Sequence, residues 1–148
     1  MGRKSLIFGL CAALLSNCGN CEDHDCKPGL TVFVEVVNSA GTNLFSEPDP
    51  ILQLDSVKVI AVHSNFTHSI PIDHYEMEGK TLFSFLPAST SVKEYIVQYS
   101  MRESDTLTFG DIVYAMGECC QSVKHYDLHV NHQPYCTDCK DEIITIIR

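Results

Sequence analysis

Eight cysteines and seven histidines are the residues with most chemistry to offer in this 148-residue chain. Cys136-x-x-Cys139 and the adjacent pair Cys119-Cys120 flank His125, His129 and His132. Thiolates and imidazoles are zinc ligands, and four of them can close a structural site. The spacing departs from a standard finger, because two adjacent cysteines rarely bind the same ion. A second set is His125, Asp127 and His129, at i, i+2 and i+4. On a strand these share one face with neighbours about 7 Å apart, so a pair can hold zinc or copper with help from another strand. The same alternation is also what a solvated polar face opposite core residues Tyr126 and Leu128 looks like. The six tyrosines are available for stacking on a glycan, although tryptophan is absent. No G-x-S-x-G, H-E-x-x-H, G-x-x-x-x-G-K-[ST] or G-x-G-x-x-G occurs. Cys136-x-x-Cys139 lacks the strand before and helix after that a thioredoxin-type redox motif requires. The expectation is a chain that is not an enzyme.

The elements that must position these groups begin after a leader. Arg3 and Lys4 precede an apolar run from Leu6 to Leu15. A bilayer-spanning helix needs about 20 apolar residues, so this run has the size of a signal-peptide core instead. Leu14-Leu15-Ser16-Asn17-Cys18 follows. It resembles a bacterial lipobox, with the apolar residue at −3 and the cysteine at +1. The resemblance implies that Cys18 is lipidated and becomes the mature N-terminus; Asn17 departs from the small residue usual before it. Ordinary secretion, with Cys18 in a disulfide, is the other reading. The domains expected are a signal peptide over 1–17, a lipidated cysteine and acidic tether over 18–29, and a folded domain over 30–148. The tether Gly19-Asn20-Cys21-Glu22-Asp23-His24-Asp25 is similar to the acidic stretch of surface-exported lipoproteins of the Bacteroidetes type. A plain solvated linker explains it equally well.

Composition agrees with one folded domain: 45% hydrophobic, 20% charged, mean hydropathy +0.01. A formal charge of −9 makes nucleic acid a poor partner, because phosphate binding needs lysine and arginine. It also makes anionic lipid head groups a poor partner, so an anchor has to be the lipid itself.

From Leu30 the chain reads as strands. Leu30–Val37, Ser56–His63, Lys80–Leu86, Val92–Met101, Thr106–Met116, Ser122–Val130 and Asp141–Arg148 are β-branched or alternating runs. Tyr95, Val97, Tyr99 and Met101 share one face of the fourth run. Gly110-Asp111 inside the fifth predicts a bulge or bend. Turn signals lie between, among them Asn43, Pro48-Asp49-Pro50, Glu78-Gly79 and Ser104-Asp105. About seven strands without a capped amphipathic helix favour an all-β fold, a single antiparallel β-sandwich of immunoglobulin-like arrangement. His63, His68 and His74 fall between strands or at their ends.

Asp105-Thr-Leu-Thr-Phe109, then Val113-Tyr114, then Gly117-Glu118-Cys119, followed by an aromatic strand and a short final strand, resembles small uncharacterised lipoproteins of Bacteroidetes-type bacteria. The likeness covers roughly residues 80 to 148 and the leader. It implies a lipid-anchored β-sandwich and assigns no catalytic residue.

With Cys11 in the leader and Cys18 on the lipid, six cysteines remain, and an even number in an exported chain points to disulfides. If Ser122–Val130 and Asp141–Arg148 form a hairpin, Asn131–Lys140 is its loop. Cys119 and Cys120 then stand about 30 Å from Cys136 and Cys139, beyond bonding reach. Cys21 and Cys26 are therefore the expected partners of Cys136 and Cys139. Cys119 and Cys120 are left as a buried thiol or a vicinal pair.

The function these observations suggest is a non-catalytic binding or structural accessory domain of the cell envelope. It would be an outer-membrane lipoprotein held through its lipid, with an envelope protein or glycan as partner and no nucleic acid. The alternative is an extracytoplasmic zinc- or copper-binding lipoprotein using Cys136 and Cys139, or the stripe His125, Asp127 and His129.

Overall fold

Valines at alternate positions give the first strand one fully apolar face, and the rest of the fold is laid over it. The computed structural model describes residues 30–46, 50–87, 91–116, 121–140 and 143–148, with backbone alone at 116, 121 and 122. The expected signal peptide over 1–17, the tether over 18–29, and Cys18, Cys21, Cys26, Cys119 and Cys120 lie outside the described residues. The described strands are β1 (Val32–Val37), β2 (Lys58–Val62), β3 (Thr67–Ile70), β4 (Ile72–Met77), β5 (Lys80–Phe85), β6 (Glu94–Gln98), β7 (Ser104–Met116), β8 (Gln121–Val130), β9 (Gln133–Cys139) and β10 (Ile143–Ile147). One sheet has the order β10-β1-β5-β4, the other β3-β2-β6-β7-β8-β9. Their inner faces meet, and the architecture is a β-sandwich, as the alternation predicts.

Val32, Val34, Val36, Phe83, Phe85, Ile144 and Ile146 line the inner face of the smaller sheet. Val59, Ala61, Tyr95, Val97, Leu107, Phe109, Tyr126 and Leu128 face them from the larger. Aromatic rings run through the centre: Phe85 to Tyr95 at 5.4 Å between centroids, Tyr95 to Phe109 at 5.6 Å, Phe109 to Tyr126 at 5.7 Å. Edge-to-face and tilted pairs of this kind add about 0.5–1.5 kcal/mol each beyond the area they bury.

Several expectations are corrected. The described residues hold ten strands rather than about seven. The additional ones are β3, β4 and β9, which are mostly solvent-exposed. With only one or two residues each packed against the core, these edge strands carry little apolar alternation to read. Pro71, between β3 and β4, marks where the chain passes from the larger sheet to the smaller.

Asn131–Lys140 is not a loop. Asn131 (φ 51°) and His132 (φ 64°) form a two-residue turn with both residues left-handed, and the chain returns at once as β9 against β8. Such turns match the twist of a hairpin. Ser122–Val130 therefore does not pair with the final strand. β10 crosses to the smaller sheet and lies parallel to β1, the one parallel pair among the described strands. The fourth run also ends earlier than its alternation suggests. β6 stops at Gln98, Tyr99 remains buried, and Met101 is 99% exposed on the following turn.

Two turn readings hold. Glu78 (φ 54°) and Gly79 (φ 77°) close the β4–β5 hairpin. Gly110-Asp111 is a bulge, since Phe109 pairs with Leu128 and Ile112 with Tyr126, leaving the two residues opposite Asp127 alone.

Candidate functional site

β8 carries the predicted stripe. Tyr126 and Leu128 point into the core, and His125, Asp127 and His129 alternate onto the outer face of the larger sheet. The two cysteines of β9 go the other way. Cys136 is opposite Leu128 and Cys139 opposite Tyr126, so both belong to the inner face. Residues three apart on a regular strand face opposite sides. Here Thr137 and Asp138 together face Asp127, and Asp138 turns left-handed (φ 58°). That extra residue brings Cys139 back to the side of Cys136, with Cα atoms 5.8 Å apart, and the two are joined by a disulfide.

The cysteine pairing thus differs from the expected one. Cys136 is bonded to Cys139, its neighbour across the bulge, and not to Cys21 or Cys26. The premise that placed the pairs, a hairpin with a ten-residue loop, is replaced by β9. The zinc reading that combines Cys136 and Cys139 with His125 and His129 is also not brought together. His125, Asp127 and His129 lie on one face of the sheet, and the sulfurs of Cys136 and Cys139 lie on the other, bonded to each other.

Asp127 sits between bulges on both neighbouring strands. The Asp138 N–H donates to its Oδ1 at 3.3 Å, and His125 Nε2 lies 3.5 Å from Asp138 Oδ1. On the other side Gly110 comes so close that a Cβ there would stand 2.9 Å from the Asp127 Cβ. Close approach is what the glycine is for. Gly110→Ala is expected to cost about 1–3 kcal/mol by overpacking, read as a lower urea midpoint with unchanged slope. Beside the bulge is an open cleft of about 360 Å³ lined by Lys93, Gly110, Asp111, Ile112 and Tyr114. Lys93 Nζ lies 3.5 Å from Asp111 Oδ1 across it, an exposed pair worth little to stability.

Comparison of the chain with protein-family models, curated proteins and solved structures finds no match.

Sequence reasoning missed a polar clamp at the end of the sandwich. Asp105, buried at the start of β7, accepts a hydrogen bond from Asn131 Nδ2 at 2.6 Å. Asn131 also accepts from the Thr106 N–H at 2.8 Å. Just past β10 of the smaller sheet, Arg148 brings Nε to 3.6 Å from Asp105 Oδ2 and its guanidinium carbon to 4.7 Å from the Tyr99 ring centroid. Its N–H donates to the Val37 carbonyl at 2.8 Å. The clamp ties the two sheets together at one end. The available signal was Asn131, a residue at home in left-handed turns, standing at the end of the alternating run Ser122–Val130.

The Tyr99 hydroxyl faces Asp105 without a hydrogen bond of ordinary geometry. Burial first, then the Asp105 carboxylate, holds this phenol protonated well above its usual range; Arg148 works in the opposite direction. A phenol whose folded-state pKa is raised keeps its full contribution below the unfolded value, about 10, and loses it as pH rises beyond that. Tyr99→Phe is expected to match the wild type in urea at pH 7 and to exceed it at about pH 11, since the variant has no proton to lose there.

A second missed group is at the β2–β3 tip. His63 stacks on Phe66 with ring centroids 4.1 Å apart and planes at 13°, and His68 stands beside them. Phe66 is 60% exposed.

Proposed function

We propose that the protein is a lipid-anchored lipoprotein of the bacterial cell envelope whose β-sandwich serves as a non-catalytic binding or structural accessory domain. The observation that carries this reading is the Cys136–Cys139 disulfide. Disulfides persist in oxidising compartments and are rare in the cytosol. The basic residues, apolar run and Leu14-Leu15-Ser16-Asn17-Cys18 of the leader support export and an acyl anchor on Cys18. Several acyl chains, at about 0.8 kcal/mol per buried CH₂, hold a protein on a membrane where one chain is marginal. The outer membrane is the compartment that the resemblance to Bacteroidetes-type lipoproteins favours.

The surfaces such a module would offer are its loop tips and edge strands, where recognition concentrates. Phe66 on the β2–β3 tip and Tyr135 on edge strand β9 are exposed aromatic side chains of this kind. An envelope protein or a glycan suits them.

The test is expression of the full chain in a Bacteroidetes host fed an alkyne fatty acid. The wild type is expected to carry the label and to sediment with the outer membrane. Cys18→Ser is expected to lose the label and appear in the soluble fraction. A variant that keeps both label and membrane association would overturn the anchor assignment.

A further inference from the structure

We propose that His63 and His68 form a two-imidazole binding site for a divalent copper or zinc ion at the tip of the β2–β3 hairpin. The site rests on the geometry of the tip and is independent of the lipid anchor.

The local sequence is His63-Ser64-Asn65-Phe66-Thr67-His68. The His63 N–H donates to the Phe66 carbonyl at 2.9 Å, which leaves Ser64 and Asn65 as a short turn. Ala61 is paired with His68 and Val59 with Ile70, so His68 lies on the same side of the hairpin as core residues Val59, Ala61 and Ile70. Alternation places His63 on that side too. Both histidines lie past the end of the packed core, where His68 is exposed and His63 half-buried. Solvent, and an ion in it, reaches them.

His63 Nε2 and His68 Nδ1 are 3.1 Å apart. Two metal–imidazole bonds of about 2.0–2.1 Å separate their nitrogens by about 2.9 Å at a right angle and about 3.4 Å at the tetrahedral angle. The observed separation falls between the square-planar geometry copper(II) prefers and the tetrahedral geometry of zinc. Ring rotation about the side-chain bonds turns the two lone pairs from each other toward a shared ion. Without metal, the two nitrogens share one proton in a hydrogen bond. On metal binding that imidazole changes tautomer: its proton moves through solvent to its other ring nitrogen, and both facing nitrogens present lone pairs. No proton is lost overall. Phe66, stacked on the His63 ring, restricts the ring before the ion arrives. Water or a partner's side chain completes the coordination, so this is an open site and not a closed structural one.

The His125–His129 stripe expected from the sequence is the rival location, and the experiment separates the two. Copper(II) chloride is titrated calorimetrically into the tag-free full chain near neutral pH, and the complex is examined by electron paramagnetic resonance. One equivalent is expected to bind, more tightly than zinc. His63→Ala and His68→Ala are each expected to weaken binding ~10-fold or more. A His125→Ala/His129→Ala variant is expected to bind like the wild type. The spectrum is expected to show hyperfine coupling to two nitrogens, reduced to one in either tip variant. Thermal melting checks that the variants fold, and His63→Gln and His68→Gln replace any alanine variant that melts low. No stoichiometric binding, or binding that both tip variants retain and the stripe variant loses, would overturn the proposal.

Discussion

Phe109→Ala is expected to lower unfolding free energy by about 3–5 kcal/mol, the range for removing a fully buried aromatic ring from a core. Phe109 is 1% exposed and lies between Tyr95 and Tyr126, in contact geometry with both rings. It precedes the Gly110-Asp111 bulge, so the bend that follows fixes where its ring enters the core. Tyr95 and Tyr126 are held on separate strands and cannot both close on the space left. The loss therefore combines transfer free energy with a residual cavity. Phe109→Leu keeps most of the volume and is expected to cost clearly less. Urea denaturation of the oxidised protein measures both. Equal, sub-kilocalorie effects would show that the ring stack is not the centre of the core.

Asp105→Ala is expected to cost about 2–3 kcal/mol, below the 3–5 kcal/mol typical of breaking a fully buried pair because the Arg148 side chain remains 23% exposed to solvent. The change removes the acceptor of Asn131 Nδ2 and the nearest carboxylate to Arg148 Nε. Arg148 retains Glu103, with Nη2 and Oε1 3.9 Å apart, and its place over the Tyr99 ring. Asn131 has less recourse, and it is the left-handed first residue of the β8–β9 turn. The double variant with Arg148→Ala is expected to be less destabilised than the sum of the two singles, since each removes the other's partner. Strict additivity would mean that the clamp does not couple the sheets.

The core was legible because buried strands must alternate or run apolar, and Val32–Val37, Tyr95–Val97 and Tyr126–Leu128 do so. The Gly110 bulge was legible because a glycine inside a strand pattern marks a close approach, here to Asp127. β9 was not. QPYCTDC is largely exposed, contains proline, and owes the shared inward face of Cys136 and Cys139 to a bulge that breaks the period of two. Missing β9 misplaced the final strand and, with it, the expected partners of Cys136 and Cys139. The outer-face stripe His125, Asp127 and His129 was read correctly, yet its assembly with the cysteines was not, because which face a cysteine occupies depends on that same bulge. The His63–His68 pair was invisible for another reason. Residues five apart become neighbours only once the register of a short hairpin is known, and β3 gives little pattern of its own.

The central claim is that this sandwich works outside the cytoplasm on an acyl anchor. Mass spectrometry of the N-terminal peptide, from protein recovered out of native envelope membranes, tests it most directly. The predicted result is a chain that begins at Cys18, with its thiol and amine carrying lipid. A chain that retains residues 1–17, or a Cys18 with an unmodified thiol, would contradict it.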